Sequence, residues 1–149
     1  MNPIDALTAA AGRWLGTNTL QDPNTNKPEE TPSTATVTPV LGGRFVRIDY
    51  TWGYRGKPQE GSLLVGFDPK SGEVSGHWID TWHKGRKVLA CVGTAGDGTI
   101  TVRGSYPAPP GPDWGWRIDI AAAPLRITHT NIDADGTEDL AVEGVYSRS

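Results

Sequence analysis

Two side chains of the 149-residue sequence combine a titratable group with an apolar setting: Asp80 and His129. Asp80 sits in the string Trp78–Ile79–Asp80–Thr81–Trp82. Residues two apart on a strand share a face, so the carboxylate stands between two indoles. Desolvation there disfavours its charged form unless a donor or cation compensates. His129 lies between Ile127 and Asn131 on the same spacing. It can act as a general base, a proton donor, or a ligand to metal or haem. Facing one cavity, the pair would serve a cofactor-free isomerase, cyclase or hydrolase. The plainer alternatives are an Asp80 bonded to a backbone amide or an arginine, and a His129 bonded into the lining or exposed at a rim.

Tryptophan carries an unusual share of the bulk: six Trp against two Phe and one Met. Trp114–Gly115–Trp116 repeats the spacing-two pattern. Trp78, Trp82, Trp114 and Trp116, with Tyr50 and Tyr146, are therefore candidates to line a hydrophobic cavity inside a barrel that binds a small apolar or aromatic molecule. The alternative is that they fill the interior. His77 and His83 read as outward or in a turn. No spacing of His or Cys suits a metal, no glycine-rich loop precedes a helix, and no serine sits in a nucleophile elbow. Cys91 falls in an apolar strand and reads as buried and inert. No cofactor and no metal are expected.

The elements that must position these residues are short strands. A helix opens the chain: Asn2 can cap it, Pro3 suits its first position, Ile4, Leu7 and Ala11 share a face, and Gly12 stops it. About ten strands follow, at 13–20, 34–41, 44–54, 61–68, 73–82, 86–94, 99–105, 114–121, 125–132 and 139–148. Turn chemistry separates them at Asp68–Gly72, His83–Gly85, Gly96–Asp97–Gly98 and Asp133–Gly136. Two proline-bearing stretches, 21–33 and 106–113, read as longer connections. Short turns imply an antiparallel meander, and closing it removes the exposed edges. The expected fold is all-β: a closed, antiparallel, up-and-down barrel of about ten strands with a short N-terminal helix, one domain over 1–149.

Alternation assigns the faces. Val46, Ile48, Tyr50 and Trp52 point in, as do Trp114, Trp116, Ile118 and Ile120, then Leu125, Ile127, His129 and Asn131, then Leu140, Val142, Gly144 and Tyr146. On 73–82 the aromatic face with Asp80 is the better interior. Arg44 and Arg47 read as structural partners of Asp49 or Asp68.

Composition narrows the function classes. A net charge of −3 without a basic stretch argues against nucleic acid. No apolar run reaches the length of a membrane span. The polar, capped start does not read as a signal peptide, and a single cysteine excludes an internal disulfide. Both favour the cytoplasm.

Longer strings carry a resemblance. Gly12-Arg13-Trp14-Leu15-Gly16 after a short helix resembles the Gly-x-Trp opening of calycins: lipocalins, fatty-acid-binding proteins and nitrobindin-like barrels. It implies an inward Trp14 that plugs one barrel end. Leu41-Gly42-Gly43-Arg44-Phe45, Gly66-Phe67-Asp68, Trp78-Ile79-Asp80 and the ending Val145-Tyr146-Ser147-Arg148 look like a bacterial lipocalin-like family of unknown function. Nitrobindin-like relatives hold haem through a histidine near the C-terminus. The strand 139–148 has none, and His129 lies one strand earlier, so haem is the least favoured reading.

Overall fold

A computed structural model describes residues 2–96 and 98–149; the Asp97 of the turn expected at 96–98 lies outside them. The chain opens with α1 (Pro3–Ala9), followed by ten strands: β1 (Gly12–Asp22), β2 (Lys27–Val40), β3 (Phe45–Tyr54), β4 (Lys57–Phe67), β5 (Val74–Asp80), β6 (Leu89–Gly96), β7 (Thr99–Tyr106), β8 (Trp114–Ala122), β9 (Leu125–Ile132) and β10 (Glu138–Arg148). Each strand pairs antiparallel with the next, and β1 pairs with β10 to close the barrel. This is the architecture the turn spacing and alternation imply.

Alternation also fixes what the barrel encloses. Val46, Ile48, Tyr50 and Trp52 of β3 are buried, as are Val74, Gly76, Trp78 and Asp80 of β5. Trp116, Ile118 and Ile120 come from β8, and Leu125, Ile127 and His129 from β9. Outward residues pair on the surface, as Arg47 does with Asp49 at 2.9 Å.

The helix plugs one end. Asn2 Oδ1 accepts from the Ile4 amide at 2.8 Å and caps α1. Ile4, Leu7 and Ala10 then bury against the core beside Trp14. The Trp14 indole donates to the Ala10 carbonyl at 2.8 Å, and the Arg148 guanidinium lies 4.6 Å over its ring. Arg148 also donates to the Ala9 carbonyl at 2.9 Å, so the last strand holds the helix it meets.

Three expectations fail for physical reasons. Residues 21–33 are mostly strand, with only 23–26 left as a turn. Pro28 and Pro32 sit in β2 because its backbone ladder to β3 starts at Ala35; before that, β3 meets β2 through side chains, as where Thr31 Oγ1 accepts from the Gly53 amide at 3.1 Å, and a missing N–H there breaks no ladder bond. The connection after β5 is not a tight hairpin at 83–85 but runs over 81–88, so β6 starts at Leu89 rather than 86. Leu140 points outward: the register of β10 against β9 shifts between Leu140 and Val142, and a bulge there moves Leu140 off the inner face.

Candidate functional site

The barrel end opposite α1 gathers the aromatic and titratable side chains, and a missing side chain makes room for them. Tyr50, Gly61 and Asp80 stand opposite one another on β3, β4 and β5. A Cβ on Gly61 would lie 2.2 Å from the Tyr50 hydroxyl oxygen, so only glycine lets the ring cross that strand. The Tyr50 hydroxyl donates to Asp80 Oδ2 at 2.6 Å and accepts from the Trp78 indole at 2.8 Å. Burial, then the adjacent carboxylate, holds the Tyr50 hydroxyl protonated well above the ordinary phenol range.

Asp80 ends β5 and caps the turn after it. Its Oδ1 accepts the amides of Trp82 and His83 at 2.8 and 3.0 Å, and His83 Nδ1 at 3.0 Å. Burial alone would push this carboxyl up, but the bonds from His83, Tyr50 and the Trp82 amide outweigh it and hold the pKa at about 2. Asp80 is therefore an acceptor only, and the proton of neutral His83 resides on Nδ1. His83 Nε2 makes no hydrogen bond among the described residues.

His129 is fixed in the opposite sense. The Trp116 indole donates to its Nδ1 at 3.0 Å. An indole N–H can only donate, so neutral His129 carries its proton on Nε2. Burial first, then the neighbouring His83, lowers its pKa to about 3.

The rings form one contiguous group. Trp78 and Trp116 stack with centroids 5.1 Å apart and planes at 12°. His129 lies 4.8 Å from Trp78. The His83 ring is surrounded by indoles, with Trp82 at 4.8 Å, Trp78 at 5.3 Å, Trp116 at 5.6 Å and Trp52 at 5.7 Å.

Side chains fill most of the interior. Among the described residues a cavity of about 10 Å³ remains, bordered by Asn18, Trp52, Asp80, His83, His129 and Tyr146 among others. That is room for about one water molecule. Asn18 Nδ2 and Trp52 Nε1 are buried there without a partner among the described residues. Tyr146 is held by the Ser33 hydroxyl at 2.8 Å. Outside this cavity, at the barrel mouth, lies an open depression of about 650 Å³. Trp82, His83 and Trp116 form its aromatic part, with Asp22, Asn131 and Asp139 among its polar lining. His83 thus borders both spaces.

Of the residues singled out from the sequence, Tyr50, Trp78, Asp80, Trp116 and His129 meet in one cluster. Tyr146 borders the same cavity, and Trp82 stands at the mouth. Trp114 is half-buried at the start of β8, and among the described residues no other aromatic ring stacks on it. Asp80 and His129 border one cavity but share no hydrogen bond among the described residues. Sequence reasoning missed His83. The available signal was Asp80 three residues before it, since an Asp at a strand end commonly bonds the amides two and three positions on and folds the turn back over itself. Among the described residues, no three His, Cys, Asp or Glu side chains come together as a metal would need.

Comparison with known proteins adds kinship. The model of a family described as "Protein of unknown function (DUF1579)" matches residues 3–148, and the chain belongs to that family. No curated protein matches it. Among solved structures, that of Rv2717c from M. tuberculosis is similar, with a TM-score of 0.66 at 16% identity over 100% of this chain and 98% of that one. At that identity the likeness shows a shared fold.

Proposed function

Because the function of that family is unknown, the reading rests on the site itself, and we propose that the protein binds a small apolar or aromatic molecule at the barrel mouth. The observation that carries this is the depression of about 650 Å³ over Trp82, His83 and Trp116. An aromatic ligand gains from stacking there beyond simple burial, by about 0.5–1.5 kcal/mol per ring pair. The interior is not the binding space, since about 10 Å³ cannot take a ring. Trp78, Tyr50 and Tyr146 then support the site from beneath instead of touching the ligand. A titration of intrinsic tryptophan fluorescence with a panel of aromatic and aliphatic ligands tests this. Quenching that disappears in Trp82→Ala supports it; no response to any ligand overturns it.

The same reading takes residues 1–149 as one barrel domain of calycin-like, lipocalin-like kind. The Gly-x-Trp opening, with Trp14 buried under α1, supports that kinship. The lone, buried Cys91 supports a cytoplasmic location. Among the described residues no helix is long and apolar enough to cross a membrane.

A second reading has one observation in its favour: Asp80 and His129 border the same cavity, as a cofactor-free acid–base pair would require. Its substrate would have to displace Trp116 or His83 to arrive. A turnover screen of isomerase and hydrolase substrates, repeated on His129→Gln, would decide it.

A further inference from the structure

The ring that borders both the cavity and the mouth is His83, and its surroundings specify more than aromatic stacking. Three constraints act on it together. Ionised Asp80 accepts a hydrogen bond from Nδ1–H at 3.0 Å, and the Asp80 carboxylate is itself fixed by Tyr50 at 2.6 Å and by two backbone amides. Indoles on four sides, with centroids between 4.8 and 5.7 Å away, leave the imidazole little freedom to turn. Nε2 is left with a lone pair and no partner among the described residues, on a side chain only 11% exposed. A nearly buried acceptor without a donor is a place where a ligand's N–H or O–H gains the full value of a hydrogen bond. The remaining lining of the depression sets the charge. Among the described residues it contains Asp22 and Asp139 and no Lys or Arg, which disfavours an anionic ligand.

The geometry points to His83 Nε2 as the acceptor that selects the ligand at the mouth: an uncharged aromatic molecule bearing one hydrogen-bond donor, a phenol or an N–H heteroaromatic, with its ring against Trp82 and Trp116. Asp80 is the positioning residue, since its carboxylate decides which imidazole nitrogen carries the proton. This inference rests on the mouth as the binding place, and the experiment separates the two.

The probes are 2-naphthol and its methyl ether, 2-methoxynaphthalene, which share a ring system and differ in the donor. The measurement is made at about pH 8, where phenols are un-ionised. Binding is measured by equilibrium dialysis to the wild type, His83→Phe and Asp80→Asn, with the fold of each variant checked by circular dichroism. The expected result is that the wild type prefers the naphthol by about tenfold, the value of one hydrogen bond of about 1.4 kcal/mol. His83→Phe keeps the ring binding and loses the preference. In Asp80→Asn the side-chain oxygen stays on the Trp82 and His83 amides and still accepts from Nδ1, so the preference is kept; its loss there would overturn the role of that oxygen in fixing the histidine proton. Equal affinity of the wild type for both probes overturns the role of His83 and leaves the mouth standing as a binding place. A preference that survives in His83→Phe also overturns it. Failure of both probes to bind the wild type overturns the mouth reading together with the inference.

Discussion

The two ends of this barrel are closed by different chemistry. At the α1 end, Ile4, Leu7 and Ala10 pack apolar surface against Trp14, and the polar atoms of the seal are paired: the Trp14 indole with the Ala10 carbonyl, Arg148 with the Ala9 carbonyl. At the mouth end, indoles and imidazoles surround an ionised carboxylate, and the buried donors Asn18 Nδ2 and Trp52 Nε1 lack partners among the described residues. An unpaired buried donor costs about 1–3 kcal/mol. The α1 end pairs its polar atoms, whereas the mouth end leaves some unpaired at a cost in stability.

That contrast can be broken at its stable side first. Trp14→Ala removes a buried ring and its bond to Ala10, and the expected loss is about 3–5 kcal/mol, read as a lower urea midpoint. Mouth ligand affinity, measured where the variant is still folded, should not change. A large loss of affinity would show that the two ends are not independent.

Acid probes the mouth from inside. Unfolded, the His129 imidazole takes a proton below about pH 6.5, while in the folded barrel it resists until about pH 3. The unfolded state therefore binds more protons across that window, so stability is complete above 6.5 and falls by up to a few kcal/mol as pH drops towards 3. Asp80, lowered to about 2, adds stability that is present above its ordinary 3.8 and lost only below it. His129→Gln keeps an acceptor for Trp116 and should flatten the slope between pH 6.5 and 4 in urea titrations, which still leaves Asp80 charged. An unchanged slope would mean that His129 is not the group responsible.

The smallest effect on stability should come from the largest effect on binding. Trp82 is only partly buried and packs edge-on against Trp52 at 5.8 Å. Trp82→Ala should cost about 1 kcal/mol or less while abolishing the fluorescence response to aromatic ligands. A drop comparable to that of Trp14→Ala would make Trp82 a core residue and erase the distinction between the ends.

Much of this contrast is legible in the residues alone, and the gaps have causes. Faces read correctly wherever a strand keeps strict alternation between two neighbours, as with Val46–Trp52 on β3 or Leu125–His129 on β9. Leu140 is misread because a bulge consumes one residue, and no local composition announces it. Pro28 and Pro32 are misread because proline marks a break only where its N–H is needed, and where the backbone ladder between β2 and β3 stops is a long-range fact. The cluster of Tyr50, Trp78, Asp80, Trp116 and His129 follows from alternation plus closure. Its joining member, His83, belongs to no strand, and only the capping bonds of Asp80 turn it inward.

The stacked indoles have one more consequence. Trp78 and Trp116, nearly parallel at 5.1 Å, are close enough to share an electronic excitation, so removing either ring should change the near-ultraviolet circular dichroism of the other. Trp14, across the barrel under its helix, is free of that coupling. The molecule thereby carries a coupled pair of indoles at its mouth end and an uncoupled one under its helix, and a shift of His83, which packs on both rings of the pair, would be visible without a label.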